Sequence, residues 1–412
     1  KPEKSGGTTD MDLLGMEGPV KRVRKQTKRK AVDFNSTLMM EIHSRVLFPD
    51  NHLRPELQPC IAFDKDLLPA VSVKDNPASC VCTKLADTSV NKNNAYSHRC
   101  PVFAIAWTPE GRGLVAGNSQ GEFTLWDGFE FNFLTIWQAH DTAVQAITWS
   151  HNNEFMVTGD KAGTLKYWMN NMNEVKKLSA HQNAIRSISF SLSDQKFVSA
   201  SDDHGIRIWD FESGVMEREL VGHRWDVKCC QWHPTKPIIL SGGKDNKVKL
   251  WDARTGLCLD TLHNNKSTVR CCEWSRNGNW FVTGGKDQRL RLHDLRKVNE
   301  ELFVFSMPER PGASMKEKGV TSLSMHPFRE TLIASGDYSG SVYHWTVGTE
   351  GPIAQRLSGE QGAHEQCVWG LAWHPLGHLL ASGSNDHTVK FWCRPRPGEG
   401  LSGGKDDAEG RG

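Results

Sequence analysis

The sequence predicts an all-β fold, a ring of seven four-stranded blades, and three observations carry that prediction. First, the segments QAHDTAVQAITWS, SAHQNAIRSISFS, VGHRWDVKCCQWHP and GAHEQCVWGLAWHP each place a His about 28 residues before a Trp. Second, His140, His181 and His223 lie 41 and 42 residues apart, the period at which four short strands form one blade of a β-propeller. Third, AVQAITW alternates apolar and polar residues, and TLKYW, IRIWD and VKLWD are β-branched runs bounded by turn clusters such as SHNNE, SLSDQ and SRNGN. Laid out by the period, the blades end at Trp126, Trp168, Trp209, Trp251, His293, Trp345 and Trp392, which makes seven.

The elements follow in order along the chain. Residues 1–35 are Gly-rich and then basic, without periodicity, and are expected to be a disordered arm. Residues 36–77 form a docking linker, where Ser36 or Thr37 caps a short helix with Leu38, Ile42 and Val46 on one face. Residues 78–395 hold the propeller. The segment from Ala78 to about Asn91 alternates as a strand does and is assigned to complete the last blade from the other terminus. One blade cannot bury both its faces; seven stacked radially give each face a neighbour and leave only short edges. Residues 396–412, rich in Gly and charge, form a second disordered tail.

Composition bounds the function. The 412-residue chain is 38% hydrophobic with 15 Trp, enough for a sizeable core. No run of 18 apolar residues could span a bilayer and no apolar stretch follows the N-terminal charges, so a soluble, intracellular protein is expected, with no membrane partner. A chain that starts at Lys1 is expected to be a fragment or a processed form. The 11 cysteines include the doublets Cys229–Cys230 and Cys271–Cys272, and the close pair Cys80 and Cys82 has no matching second pair. Reduced core thiols are expected, without a metal. The sequons at Asn35 and Asn265 are then chance matches. Net charge is only +2, yet residues 21–30, KRVRKQTKRK, hold seven Lys or Arg and no acid, which suits an anionic partner for the arm or a nuclear-import signal.

Four residue types recur at fixed offsets: His181, Ser199, Asp203 and Trp209; His223, Ser241, Asp245 and Trp251; His364, Ser382, Asp386 and Trp392. This resembles the structural tetrad of WD-repeat proteins, in which a turn Asp binds the His, the His binds the hydroxyl and the hydroxyl takes the indole N–H. Ser, His and Asp also make a hydrolase triad, but a catalytic set occurs once, whereas a set repeated with the blade holds blades together. Blade five keeps His263, Thr283 and Asp287 with His293 in place of Trp. Blades one, two and six carry Gln120, Ala162 and Ser339 where the turn Asp is expected, so these four blades should rest more on apolar packing. The GGKD of Gly242–Asp245 and Gly284–Asp287 reads as a β-turn, because no Ser or Thr and no helix follows the Lys. Phe129, Phe131 and Phe133 in GFEFNFLTI are expected in a connection between blades, where such rings are either buried plugs or, as an exposed pair beside the basic arm, a stacking platform for unpaired bases.

CPVFAIAWTPEGRGLVAGNSQGEFTLWDGFEFNFLTIWQAHD, VKCCQWHPTKP and AWHPLGHLLASGSNDHTVKFWCRPRPGE resemble the WD-repeat subunit of the cleavage and polyadenylation specificity factor, over about Lys21 to Pro397. The resemblance implies a nuclear, non-catalytic subunit without cofactor. With a zinc-finger subunit, on a larger propeller scaffold, it reads the polyadenylation signal in pre-mRNA so that a separate endonuclease cuts downstream. It implies RNA contacts at Lys21, Arg22, Arg24 and Lys25 in the basic motif, at Lys92, at Phe133 as a stacking ring and at Ile136 beside it. It departs at Gly18, where the family has a second ring, and at Val90, where a hydroxyl residue is usual. A one-sided stack or a different signal follows. WDAR at Trp251–Arg254 also resembles the W-D-x-R pattern of substrate receptors of cullin ubiquitin ligases, and HDLR at His293–Arg296 comes close to it. A scaffold of another nuclear assembly remains a third reading.

Overall fold

A computed structural model describes residues 81–87, 100–128, 131–308, 319–349, 351–352, 354–356, 363–377 and 379–393. Seven antiparallel four-stranded sheets follow one another along the chain, with no helix among the described residues. Blades one to six span residues 102–138, 144–179, 185–220, 227–262, 269–306 and 320–356. The seventh joins residues 368–393 to the strand Val81–Asp87. The inner strand of each blade packs against that of the next, and those of blades seven and one meet, so the ring closes. The expected propeller is therefore present.

Why these residues form these strands follows from their place in the blade. The second strand of each blade is covered by a neighbour on both faces, and Phe155–Asp160, Lys196–Ser201 and Ile238–Gly243 are buried except for their first residue. Covered on both sides, these strands carry apolar or small residues on both faces, with Thr158, Ser199 and Ser241 as buried hydroxyls among them. Outer strands such as Glu174–Ser179 and Met216–Leu220 meet solvent and are mostly polar. The apolar clusters lie between blades: Val198, Ile208, Cys230, Ile239 and Trp251 interleave blades three and four. Burying one such side chain contributes roughly 1.5–3 kcal/mol.

Closure uses chain ends and histidines. Val81–Asp87 pairs antiparallel with the last strand, Val81 opposite Cys393 and Leu85 opposite Val389, as the alternation upstream of blade one led us to expect. His374, in the Trp-His-Pro turn of blade seven, hydrogen-bonds through Nε2 to the Gly111 carbonyl of blade one at 2.9 Å. His233 and His326 make the same latch to Gly278 and Gly377, each at 3.0 Å. Gly111 has φ +83°, and a Cβ there would stand 2.6 Å from the His374 ring, so both conformation and space require glycine. Burial holds His326 near pKa 4, leaving the ring neutral at pH 7. Cys229, Cys230 and Cys272 are buried free thiols and Cys271 is half-buried. Desolvation raises the thiol pKa of Cys230.

Candidate nucleic-acid interface

The repeated His, Ser, Asp and Trp sets meet as chains of hydrogen bonds. In blade three, Asp203 lies 2.9 Å from His181 Nδ1, His181 Nε2 lies 2.7 Å from Ser199 Oγ, and the Trp209 indole N–H donates to Ser199 at 2.9 Å. The corresponding distances are 3.0, 2.8 and 2.8 Å for Asp245, His223, Ser241 and Trp251. They are 2.9, 2.7 and 2.8 Å for Asp386, His364, Ser382 and Trp392. Burial opposes the Asp203 charge, but hydrogen bonds from His181 and from the Gly205 and Gln182 amides outweigh it and hold the carboxyl well below its usual range. The hydroxyls are fully buried, and each set ties the loop entering a blade to that blade's second and third strands.

The structure corrects the expectation for the remaining blades. Blade two has a looser version of the set: His140 Nδ1 lies 3.3 Å from Asp160 without hydrogen-bond geometry, His140 Nε2 lies 2.7 Å from Thr158, and Trp168 donates to Thr158 at 2.9 Å. Asp160 sits two residues after the hydroxyl instead of four, and its Oδ1 still takes the turn amides of Ala162 and Thr164. Asn118 and Asp337 occupy the same place in blades one and six and accept the amides of Glu122 and Ser341. A carboxylate or amide at the end of the second strand reaches the same turn from its other side, which the four-residue offset overlooked. In blade five, His263 is exposed and is not the tetrad residue. Asn265, 18 positions before Thr283, fills that place and accepts from the buried Arg291 guanidinium at 2.7 Å. Arg291 also pairs with Asp287 at 2.6 Å and Glu301 at 2.9 Å. Blade five therefore has an ionic network where apolar packing was expected.

Phe133 and Ile136 lie in the strand Phe133–Gln138, the outer strand of blade one, and not in a connection between blades as expected. Phe133 faces Trp126 across the pair and packs edge-on against its ring at 5.6 Å, leaving the side chain half-buried. Ile136 and Leu134 are exposed, at 36% and 55%. Phe131 is a plug: it is buried, with φ +58°, and its ring lies 4.7 Å from Phe391 of blade seven. Lys21, Arg22, Arg24, Lys25, Lys92, Phe129 and the helix expected after Ser36 lie outside the described residues. Arg254 of the Trp-Asp-x-Arg stretch is exposed, while Asp252 closes its turn by accepting the Arg254 amide at 2.9 Å. Asp245 of GGKD is the turn residue that holds His223, in keeping with the β-turn reading.

A further surface lies outside every motif named above. The pairing register of every inner strand slips once, after Val102, Val144, Ile185, Val227, Val269, Val320 and Val368. Each of these residues is fully buried. The next residue is the unpaired one of a β-bulge, and a bulge re-aims its side chain. Phe103, Gln145, Arg186, Lys228, Arg270, Thr321 and Trp369 consequently all line one axial cavity of about 1110 Å³. Lys161, Lys244 and Lys286, from the turns after the second strands, line it too. Asp202 pairs with Arg186 at 2.6 Å and Lys228 at 2.7 Å, and Asp226 with Lys228 at 3.0 Å and Lys244 at 3.7 Å. The Arg270 guanidinium lies over the Trp369 and Tyr338 rings at 5.7 and 5.9 Å. The signal was present as PVF, AVQ, AIR, DVK, TVR, GVT and CVW, a β-branched anchor followed by a variable residue, once per repeat.

Comparison with known proteins places this fold in a family. Four segments, residues 172–210, 214–252, 256–294 and 355–393, match the WD domain, G-beta repeat. Residues 63–174 match the IFT140 first beta-propeller. Among curated relatives, the polyadenylation factor subunit 2 of Cryptococcus neoformans is 41% identical over 91% of this chain and 51% of its own length. That of Neurospora crassa is 37% identical over 91% and 59%, and that of Yarrowia lipolytica 36% identical over 92% and 77%. The chain thus spans little more than half the length of the first two. With this identity over more than nine-tenths of the chain, the chain belongs to the polyadenylation factor subunit 2 family.

Proposed function

We propose that the chain is a non-catalytic, RNA-binding scaffold subunit of the nuclear machinery that cleaves and polyadenylates pre-mRNA. The observation that carries this reading is the 36–41% identity, over more than nine-tenths of the chain, to proteins named polyadenylation factor subunit 2. Lys21, Arg22, Arg24, Lys25 and Lys92 contact phosphates. Phe133 stacks on a base with Ile136 beside it, and the exposure of Ile136 and the half-exposure of Phe133 on an outer strand support the assignment. By the resemblance in the blade-specific loops, the partners are a larger propeller scaffold and a zinc-finger subunit. A separate endonuclease supplies the cut. The repeated, buried His and Ser sets support the absence of a catalytic role.

The test is reversal of Lys21, Arg22 and Arg24 to Glu in the assembled complex, with affinity for a polyadenylation-signal RNA measured against salt. For single strands the logarithmic slope is roughly −0.7 per contacted phosphate, so losing three contacts flattens it by about 2. Unchanged affinity and slope would refute the arm's role. Loss of nuclear import alone would leave it a targeting segment. Co-purification of a cullin and its adaptor, instead of a zinc-finger subunit and an endonuclease, would favour the reading through Arg254.

A further inference from the structure

We propose that the axial mouth, on the face carrying the inter-blade loops, binds single-stranded RNA as a second contact surface, apart from the outer strand of blade one. The proposal rests on the reading that this chain contacts RNA. It names a site that neither the basic arm nor Phe133 supplies.

Charge and aromatic placement argue it together. Six cations gather at the mouth: Lys161, Arg186, Lys228, Lys244, Arg270 and Lys286. Two carboxylates, Asp202 and Asp226, engage Arg186, Lys228 and Lys244 and fix their positions. Six against two leaves an excess of four positive charges around one opening. Among the described residues, Lys161, Arg270 and Lys286 face no carboxylate within ion-pair distance. An excess held at a concave, low-dielectric rim attracts a polyanion.

Rings stand beside those cations. Trp225, in the loop between blades three and four, is 55% exposed, with Lys244 Nζ 5.4 Å from its ring centre. Tyr338 is 38% exposed, and its ring and that of Trp369 share Arg270. Phe103 meets Trp369 edge-on at 6.1 Å. A cation on one side of a ring leaves its other side for a base, and alternating cations and rings are what an unpaired strand needs: phosphates to neutralise and faces on which bases stack. A protein partner is the weaker fit. Lysine is depleted from the cores of protein interfaces, whereas four of these six cations are lysines. By pairing register Phe133 sits with Trp126, Leu114 and Trp107 at the end of blade one's strands opposite Phe103 and the mouth, so the two surfaces are separate.

The experiment uses the full 412-residue chain and a fluorescein-labelled oligouridine, with an oligoglutamate of matched charge as the competing probe. Trp225→Ala should weaken oligouridine binding roughly 5- to 150-fold. Lys161→Ala with Lys286→Ala should flatten the logarithmic salt dependence by about 1.4. All three side chains are exposed, so the melting temperature should hold in both variants. If mouth variants bind like the parent while Phe133→Ala or the arm reversal weakens binding, the mouth is overturned and the RNA reading stands. If the parent binds no oligouridine, both fall. Oligoglutamate binding as tightly as oligouridine, and lost in the same variants, would make the mouth an acidic-peptide site and overturn the proposal.

Discussion

At the residue scale, the hydrogen-bonded sets show how a buried polar chain keeps each donor matched. His181, His223, His364 and also His140 each have one ring nitrogen toward a carboxylate and the other toward a hydroxyl. Removing the carboxylate leaves a buried ring nitrogen unpaired, so Asp245→Ala should cost about 1–3 kcal/mol in urea unfolding. Asp160→Ala, which removes the acceptor of the Ala162 and Thr164 amides, should cost a similar amount, while Ala162→Ser should change little. Equal, negligible effects at 160 and 245 would show that these sets are ornamental to stability. The offsets of blades three, four and seven were legible in the sequence because they are constant. Asp160 was not, because two backbone routes bring a carboxylate to one imidazole and only the folded turn selects between them. Asn265 was overlooked for a related reason: His263 has the expected residue type at the wrong spacing, and the buried Arg291 that makes an Asn useful there comes from the third strand.

At the element scale, the outer strand Phe133–Gln138 combines packing with exposure. Phe133 rests on Trp126 and also meets solvent, so Phe133→Ala should lower the melting temperature modestly and weaken RNA binding by roughly 5- to 150-fold in the assembled complex. A buried Phe typically costs about 3–5 kcal/mol on deletion, and a loss of that size with RNA affinity intact would assign Phe133 to the core. GFEFNFLTI marked the aromatic concentration but not its division of labour. Phe131 turns inward at a positive φ and Phe133 starts a strand, and that two-residue change of direction is set by the neighbouring blade, through Phe391. The inner-strand bulges carry the same lesson. Each was present as a β-branched residue and its follower, yet seven followers of six residue types form a surface only when the ring brings them together.

For the whole molecule, closure joins residues far apart in the chain. A chain beginning at residue 88 lacks the strand Val81–Asp87, leaving the last strand of blade seven as an open edge. Such a truncation should melt lower and self-associate by light scattering, since unpaired edges template pairing between molecules. Equal melting and a monomer would mean that the strand contributes nothing to closure. Stability should also fall in acid. Burial holds His293, His326 and His344 near 4, below the ordinary 6.5. The unfolded chain therefore binds more protons between about 4 and 6.5, and these rings contribute stability that is full above about 6.5 and lost as pH drops toward 4. His344→Phe should shrink that acid loss in urea titrations across the window; an unchanged pH profile would remove His344 from the account.

The sequence alone determined the blade count, the sites of the three regular hydrogen-bonded sets and the family, because each is written as a local period or a contiguous motif. Tertiary structure alone decided which residues share the axial mouth, which of Phe131 and Phe133 meets solvent, and which groups blades two and five place beside their buried histidine and arginine. The physical reason is ring closure. Arg186, Arg270 and Trp369 are far apart in the chain and become neighbours only when seven blades close, and a buried donor finds its acceptor only across the fold.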